Sequence, residues 1–274
     1  MTDSISTPHL SLLLSDLPRA TAETYSVAKY LYRSRNTIKA SLPNMPVLLF
    51  PGYGGGDASM LGLKYYLSKK GLNCFGLGLG RNLEDRDHKI QSVEEATAFR
   101  EKMVDRCCAR LEQVYQETQQ PVILLGWSMG GCFAVDVSQR LPKKVAMVIS
   151  LGSPFGDPRG TSMWSIMRKL NRSEVPEDAM NFDGWMEKRH IKTKNLPIHV
   201  IYSEKDGIVG VETAQLCAHK DVSYTSIGSS HIGFAYNVSV YHKVIDIIEK
   251  AATAQPAKAK APAKRQRKPK AAKA

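Results

Sequence analysis

Short, continuous apolar runs alternate with stretches whose apolar positions recur every three or four residues. Pro46–Phe50 (PVLLF) is the first such run and leads into a glycine loop. Leu72–Leu77, Val122–Leu125, Val145–Leu151, Ile198–Tyr202 and Val222–Ile227 read as five further strands. The segments between them carry helical spacing. Ala58–Lys70 places Leu63, Tyr66 and Leu67 on one side and is closed by Gly71. Ser92-Val93-Glu94-Glu95 is a capping box, and the helix it opens runs to about Thr118 on a stripe of Ala96, Phe99, Met103, Cys107, Leu111 and Val114. Met129–Arg140, a short helix between the last two strands, and about Val238–Ala251 complete the set. Strands apolar throughout, alternating with helices, predict an α/β fold: a mostly parallel sheet of about six strands with helices on both faces.

Two regions break this rhythm. Residues 1–44 form a lead-in, helical in pattern from about Ala20 to Leu31. Phe155–Lys194 contains Met163, Trp164, Ile166, Met167, Leu170, Met180, Phe182, Trp185 and Met186 without a clear strand. An apolar insertion at this point predicts a helical lid over residues 155–195, inserted in a domain spanning 45–250.

Composition narrows the picture. The chain has 274 residues, 43% of them hydrophobic and 8% aromatic, enough for a sizeable core. No apolar run reaches the ~18–20 residues of a membrane-spanning helix, and the N-terminus lacks the basic start of a secretory signal. The five cysteines, Cys74, Cys107, Cys108, Cys132 and Cys217, are odd in number, form no CxxC pair and sit in apolar segments. That pattern suits reduced thiols and a cytoplasmic location rather than disulfides or a bound metal. The net charge is +12, but eight basic residues and no acid lie in residues 251–274, leaving +4 for the rest. This Lys/Ala/Pro tail has no aromatic or branched aliphatic residue, so it is expected to be disordered. Its charge suits contact with a polyanion such as nucleic acid, an acidic surface or anionic lipid.

The candidate chemistry centres on Gly126-Trp127-Ser128-Met129-Gly130-Gly131, between a predicted strand and a predicted helix. A GxSxG pentapeptide in this context forms a tight turn that lifts the serine hydroxyl clear of the backbone at a helix N-terminus. Side chains at the flanking glycines would collide there. A serine nucleophile needs a base, and the base needs an orienting acid. Asp206, in Tyr202-Ser203-Glu204-Lys205-Asp206-Gly207, and His231, in Gly228-Ser229-Ser230-His231-Ile232-Gly233, each follow a predicted strand and so share Ser128's edge of the sheet. Asp157 is the second choice of acid, and Glu204 reads as a surface residue. His9, His88, His190, His199, His219 and His242 read as surface or packing histidines. The backbone N–H groups of Met129 and Tyr53, with Gly54 as the second choice in the 51–56 loop, are the expected oxyanion donors. Gly76-Leu77-Gly78-Leu79-Gly80-Arg81 has a dinucleotide-site look but carries Arg81 where that fingerprint needs glycine.

LLFPGYGGG, GWSMGG, YSEKDGIV and SSHIGF, in this order and spacing, resemble the α/β-hydrolase superfamily over about Pro46–Lys250. GLGRNL from Gly78 and LGSPF from Leu151 further resemble its bacterial esterase and lipase-like members. The resemblance implies a serine hydrolase with a Ser128–Asp206–His231 triad, no cofactor and no metal, acting on a carboxylic ester. The apolar lid favours a small hydrophobic ester or acyl substrate. The same triad could serve an acyltransferase or a thioesterase, and a non-catalytic binding scaffold is the reading from another class. Two features depart from the family pattern. Pro51-Gly52 stands where many members have His-Gly, and residues 1–44 show no sign of the two N-terminal strands of the full fold.

Overall fold

The strands expected from the apolar runs pair into one six-stranded parallel sheet in the computed structural model, which describes residues 7–81, 92–164, 166, 182–188, 190–216 and 218–254. The strands are β1 (Pro46–Phe50), β2 (Asn73–Gly76), β3 (Val122–Trp127), β4 (Val145–Leu151), β5 (Ile198–Tyr202) and β6 (Val222–Ser226). Their order across the sheet is β2-β1-β3-β4-β5-β6, every neighbouring pair parallel. The chain steps outward from β1 to β2 and then returns to the other side of β1 to form β3. The carboxyl ends of β1 and β3 therefore flank a topological switch point, where open α/β sheets form their sites. Phe50 and Gly126 stand side by side there.

Both sheet faces are covered, for a reason visible in the strands. Successive side chains point to opposite faces. Leu48, Leu124, Val148 and Val200 pack on one side against Cys107, Leu111, Phe133 and Val137. These come from α3 (Val93–Thr118) and α4 (Met129–Arg140). Val47, Leu49, Ile123, Ile149 and Ile201 pack on the other side against Leu63, Tyr66, Leu67, Tyr241, Val244 and Ile248. Those belong to α2 (Leu61–Lys69) and to the last helix, Val238–Ala254. The expected capping box is formed, with Ser92 Oγ accepting the Glu95 N–H at 3.1 Å.

Three elements differ from expectation. The lead-in helix α1 spans Leu10–Ser34, longer at both ends than Ala20–Leu31, and it runs through the exposed Pro18. Its first turns escaped the pattern because the helix buries a polar residue there, Asp16, and exposes Leu10, Leu14 and Leu17. The segment read as the start of α2 is a 3-10 turn at Asp57–Met60. There Asp57 Oδ1 and Oδ2 accept the Leu77 and Gly78 N–H groups at 3.0 Å each, tying the turn to the chain after β2. The short helix expected between β5 and β6 is not formed among the described residues. Residues 211–214 make a turn, held by a Gly156 N–H to Thr213 oxygen bond of 2.8 Å and a Thr161–Val209 bridge.

Much of the proposed lid, residues 165, 167–181 and 189, lies outside the described residues, as do Cys217 and 255–274 of the tail. What is described includes a 3-10 turn at Pro158–Gly160 and α5 (Asp183–Glu187), which buries Trp185; Phe182, just before it, is buried as well. The last helix is α6. Among the described residues no helix is long and apolar enough to cross a membrane.

Candidate active site

The GxSxG turn adopts the geometry its glycines allow. Ser128 has φ 55° and ψ −129°, the left-handed side of backbone space that a non-glycine residue occupies only under strain. Its N–H donates to the Leu151 oxygen at 2.8 Å, and its own carbonyl accepts the Gly131 N–H at 2.9 Å. The turn is closely packed. A Cβ on Gly126 would stand 2.5 Å from the Gly130 oxygen, and one on Gly130 would collide with the Phe50 carbonyl.

The two other predicted residues meet Ser128 from their own loops. His231 Nε2 is 2.9 Å from Ser128 Oγ, and His231 Nδ1 is 2.8 Å from Asp206 Oδ2. The other carboxylate oxygen of Asp206 accepts the Ile208 and Val209 N–H groups, both at 2.8 Å, which fixes its plane. Asp206 and His231 are buried, and Ser128 is half-buried. The Trp127 indole N–H donates to the His231 carbonyl at 3.0 Å, anchoring the histidine loop to the end of β3. Burial by itself would lower the His231 pKa. The Asp206 carboxylate, through its charge and its hydrogen bond, and the Asp16 charge outweigh that and hold it above the ordinary histidine value.

Asp157, the second choice of acid, is engaged elsewhere. It accepts the Arg159 N–H at 2.9 Å and pairs with the Arg159 guanidinium at 2.6 Å. Glu204 is exposed. Four of the other histidines make contacts away from Ser128: His9 to Ser11 Oγ at 2.8 Å, His199 to Ser223 at 2.7 Å, His242 to Tyr30 at 3.0 Å, and His219 beside Asp221. His88 lies outside the described residues. The loop after β1 lies against the serine, since a Cβ on Gly52 would be 3.1 Å from Ser128 Cβ. Tyr53 is the next residue of that loop. Met129 is the first residue of α4, so its N–H has no partner within the helix ladder. Among the described residues no three His, Cys, Asp or Glu side chains gather into a set that could hold a metal ion.

The structure also brings in residues that sequence reasoning missed. Asp16 of α1 is 3% exposed. Its Oδ1 accepts the N–H groups of Gly207 at 3.1 Å and His231 at 2.8 Å, and its Oδ2 that of Ile232 at 3.4 Å. One carboxylate thus ties the acid loop to the histidine loop. Two turns along, Glu23 accepts the Ser230 N–H at 3.1 Å and the Asn237 amide at 3.1 Å. Arg19, between them, donates to the Lys205 carbonyl. The signal available in the sequence was the 16, 19/20, 23, 27 spacing on a helix, with charged residues at three of its positions.

Comparison with known proteins is consistent with this architecture. A family model described as alpha/beta hydrolase fold matches residues 45–202. No curated protein matches the chain. Among solved structures, a monoacylglycerol lipase of Paleococcus ferrophilus is similar, with 14% identity, 77% of this chain and 97% of that one covered, and a TM-score of 0.52. A structure reported for the metagenome-derived lipolytic enzymes LipS and LipT gives 13% identity, 77% and 96% coverage and a TM-score of 0.55. A lipase-esterase related protein of Clostridium acetobutylicum ATCC 824 gives 15%, 78% and 95%, and 0.52. At such identities these likenesses speak to fold alone, whereas the family model spans more than half of the chain. With its six parallel strands and its serine on a strand-to-helix turn, the chain belongs to the alpha/beta hydrolase fold family.

Proposed function

We propose that this protein is a serine hydrolase that cleaves a carboxylic ester through an acyl-enzyme intermediate. The observation that carries the reading is the unbroken relay from Ser128 Oγ to His231 Nε2 at 2.9 Å and from His231 Nδ1 to Asp206 at 2.8 Å. A candidate base must lie within hydrogen-bond reach of the proton it takes, and this one does. His231 takes the Ser128 proton as Oγ attacks the ester carbonyl carbon. The resulting imidazolium is stabilised by Asp206, and its proton passes to the departing alkoxide as the carbon–oxygen bond breaks. Water then attacks the acyl-serine, with His231 taking a proton from that water and returning it to Ser128.

In this reading the Met129 and Tyr53 N–H groups receive the negative charge that forms on the carbonyl oxygen. Support for the first is its place at the N-terminus of α4. Support for the second is the approach of its loop to Ser128. A hydrophobic acyl group suits the aromatic residues around α5, where Trp164 and Phe182 meet edge to face at 5.2 Å. A chain-length series of nitrophenyl esters, run on wild type and Ser128→Ala, tests the reading. Turnover that peaks at one acyl length and is lost in the variant is expected. Equal rates in the two proteins would refute it.

The basic tail has a separate proposed role as a polyanion-binding extension. Since α6 runs to Ala254, the deletion that tests it begins at residue 255. Salt-sensitive retention on a heparin column should fall with the deletion while ester turnover stays. Retention that survives would refute the role.

A further inference from the structure

The inner face of α1 buries Asp16, Ala20 and Val27. Its outer face is unusual for a helix on a folded domain. Leu10, Leu14, Leu17, Thr21, Tyr25, Ala28 and Tyr32 follow one another at steps of four and three, so they form a single stripe. Leu10 is 63% exposed, Leu14 70%, Leu17 66%, Tyr25 68% and Tyr32 69%. Five of the eight exposed large hydrophobic residues among the described residues therefore lie on this one helix. Scattered exposed apolar residues need no explanation, but a continuous row of them marks a contact surface.

Charge identifies the partner. The only acids of α1 are Asp16 and Glu23, and both are turned inward onto the acid and histidine loops. The exposed charges on the helix and just beyond it, Lys29, Arg33 and Arg35, are all positive. Lys29 lies over the Tyr25 ring at 6.0 Å and Arg35 over the Tyr32 ring at 4.3 Å. A second copy of the chain is disfavoured as occupant, because a parallel pairing of this face sets those cations against their own copies and an antiparallel one sets them against the N-terminal leucines, with no exposed acid of α1 to pair with them in either. An apolar stripe flanked by cations, with tyrosines beside them and no exposed acid on the helix itself, matches the interface of an anionic bilayer. Leucines enter the acyl boundary there, while tyrosine and basic side chains reach the headgroups.

We propose that the outer face of α1 docks this protein on an anionic lipid surface. The docking rests on α1 alone; only its use in catalysis rests on the hydrolase reading. Leu17 is the immediate neighbour of Asp16, whose carboxylate holds the His231 N–H at 2.8 Å. Docking of the stripe therefore holds the catalytic loops one helix diameter, roughly 10 Å, from the lipid, where a hydrophobic ester is concentrated.

Vesicle flotation of the full chain tests this, with phosphatidylglycerol–phosphatidylcholine vesicles against phosphatidylcholine alone. Wild type should float with the anionic vesicles. Leu10→Ser/Leu14→Ser/Leu17→Ser should lower the partition coefficient at least ten-fold, and Lys29→Gln/Arg33→Gln/Arg35→Gln should lower it several-fold, with fluorophosphonate labelling of Ser128 unchanged in both. If the leucine variant fails to fold, Tyr25→Ser/Tyr32→Ser gives the same test on the other half of the helix. Three results would overturn the proposal: no flotation of wild type, undiminished flotation of the folded stripe variants (binding by the basic tail alone), or a wild-type dimer that the leucine substitutions dissociate. Wild-type protein that takes up the probe at Ser128 but does not float refutes the docking only. Labelling absent with flotation intact refutes the hydrolase reading only.

Discussion

Asp16→Asn exchanges a buried carboxylate for an amide of the same shape. The amide oxygen can take the place of Oδ1 and keep the Gly207 and His231 N–H bonds, now 3.1 and 2.8 Å long. Its NH2 group then faces the Ile232 N–H, which loses its 3.4 Å acceptor. Hydrogen bonds to a charged group contribute about 1.5–3 kcal/mol and neutral ones about 0.5–1.5, so the two retained bonds weaken by roughly 2–3 kcal/mol together. For a domain of this size that lowers Tm by about 4–12 °C. Arg19 does not become an orphan, because it still donates to the Ser15, Leu12 and Lys205 carbonyls. The substitution also acts on the proposed base, His231. The Asp16 and Asp206 charges both hold His231 above the ordinary histidine value. In its proposed role as general base His231 must be neutral, so reactivity is expected to rise with pH through its pKa. Removing the Asp16 charge lowers that pKa and moves the acid limb of the labelling profile to lower pH. Thermal unfolding and the pH dependence of fluorophosphonate labelling are the assays. An unchanged Tm together with an unmoved limb would refute the reasoning. A lower Tm with an unmoved limb would leave Asp16 a purely structural tie.

Ser128→Gly and Ser128→Ala should both abolish labelling, but only the glycine relieves the positive φ of 55°, and it should unfold at higher free energy than the alanine variant by about 1 kcal/mol. Equal stabilities in a denaturant titration would mean that the turn is unstrained. Gly130→Ala drives a methyl group into the Phe50 carbonyl and should cost more than ~3 kcal/mol or prevent folding; a soluble variant of wild-type stability would contradict the close packing of the turn. Asp136→Ala leaves the buried Arg100 without the carboxylate that meets it at 2.6 and 3.1 Å. A loss of about 3–5 kcal/mol in chemical denaturation is expected.

Where local rules govern, the sequence was readable. The serine turn announces itself because a strand, a helix and two obligatory glycines occur within a few residues. Asp206 and His231 could be placed because each follows an apolar run, and parallel strands deliver all their carboxyl ends to one edge. The four inner strands β1, β3, β4 and β5 were read nearly to their ends, since burial on both faces leaves them mostly apolar; the edge strands β2 and β6 are only partly buried. The contribution of α1 was not readable. Its partners Gly207 and His231 lie 191 and 215 residues from Asp16, and no local pattern reports a contact at such a separation. A buried aspartate in a helix looks, in sequence, like a residue on a solvated face. Leu10, Leu14 and Leu17 run against the usual rule as well, because apolar spacing ordinarily marks the buried side of a helix and here marks the exposed one. A short helix was expected between β5 and β6, and residues 211–214 instead make a turn. A bridge from Thr161 to Val209 and the bond from Gly156 decide its course, and neither is local.

Fluorophosphonate labelling of wild type, Ser128→Ala and His231→Ala, each shown to be folded, tests the central claim most directly. The probe needs an activated serine and makes no assumption about substrate. The account predicts one labelled site, Ser128, with labelling abolished in Ser128→Ala and lowered by several orders of magnitude in His231→Ala. A folded wild-type protein that takes up no probe, or a His231→Ala variant that labels as fast as wild type, would contradict it.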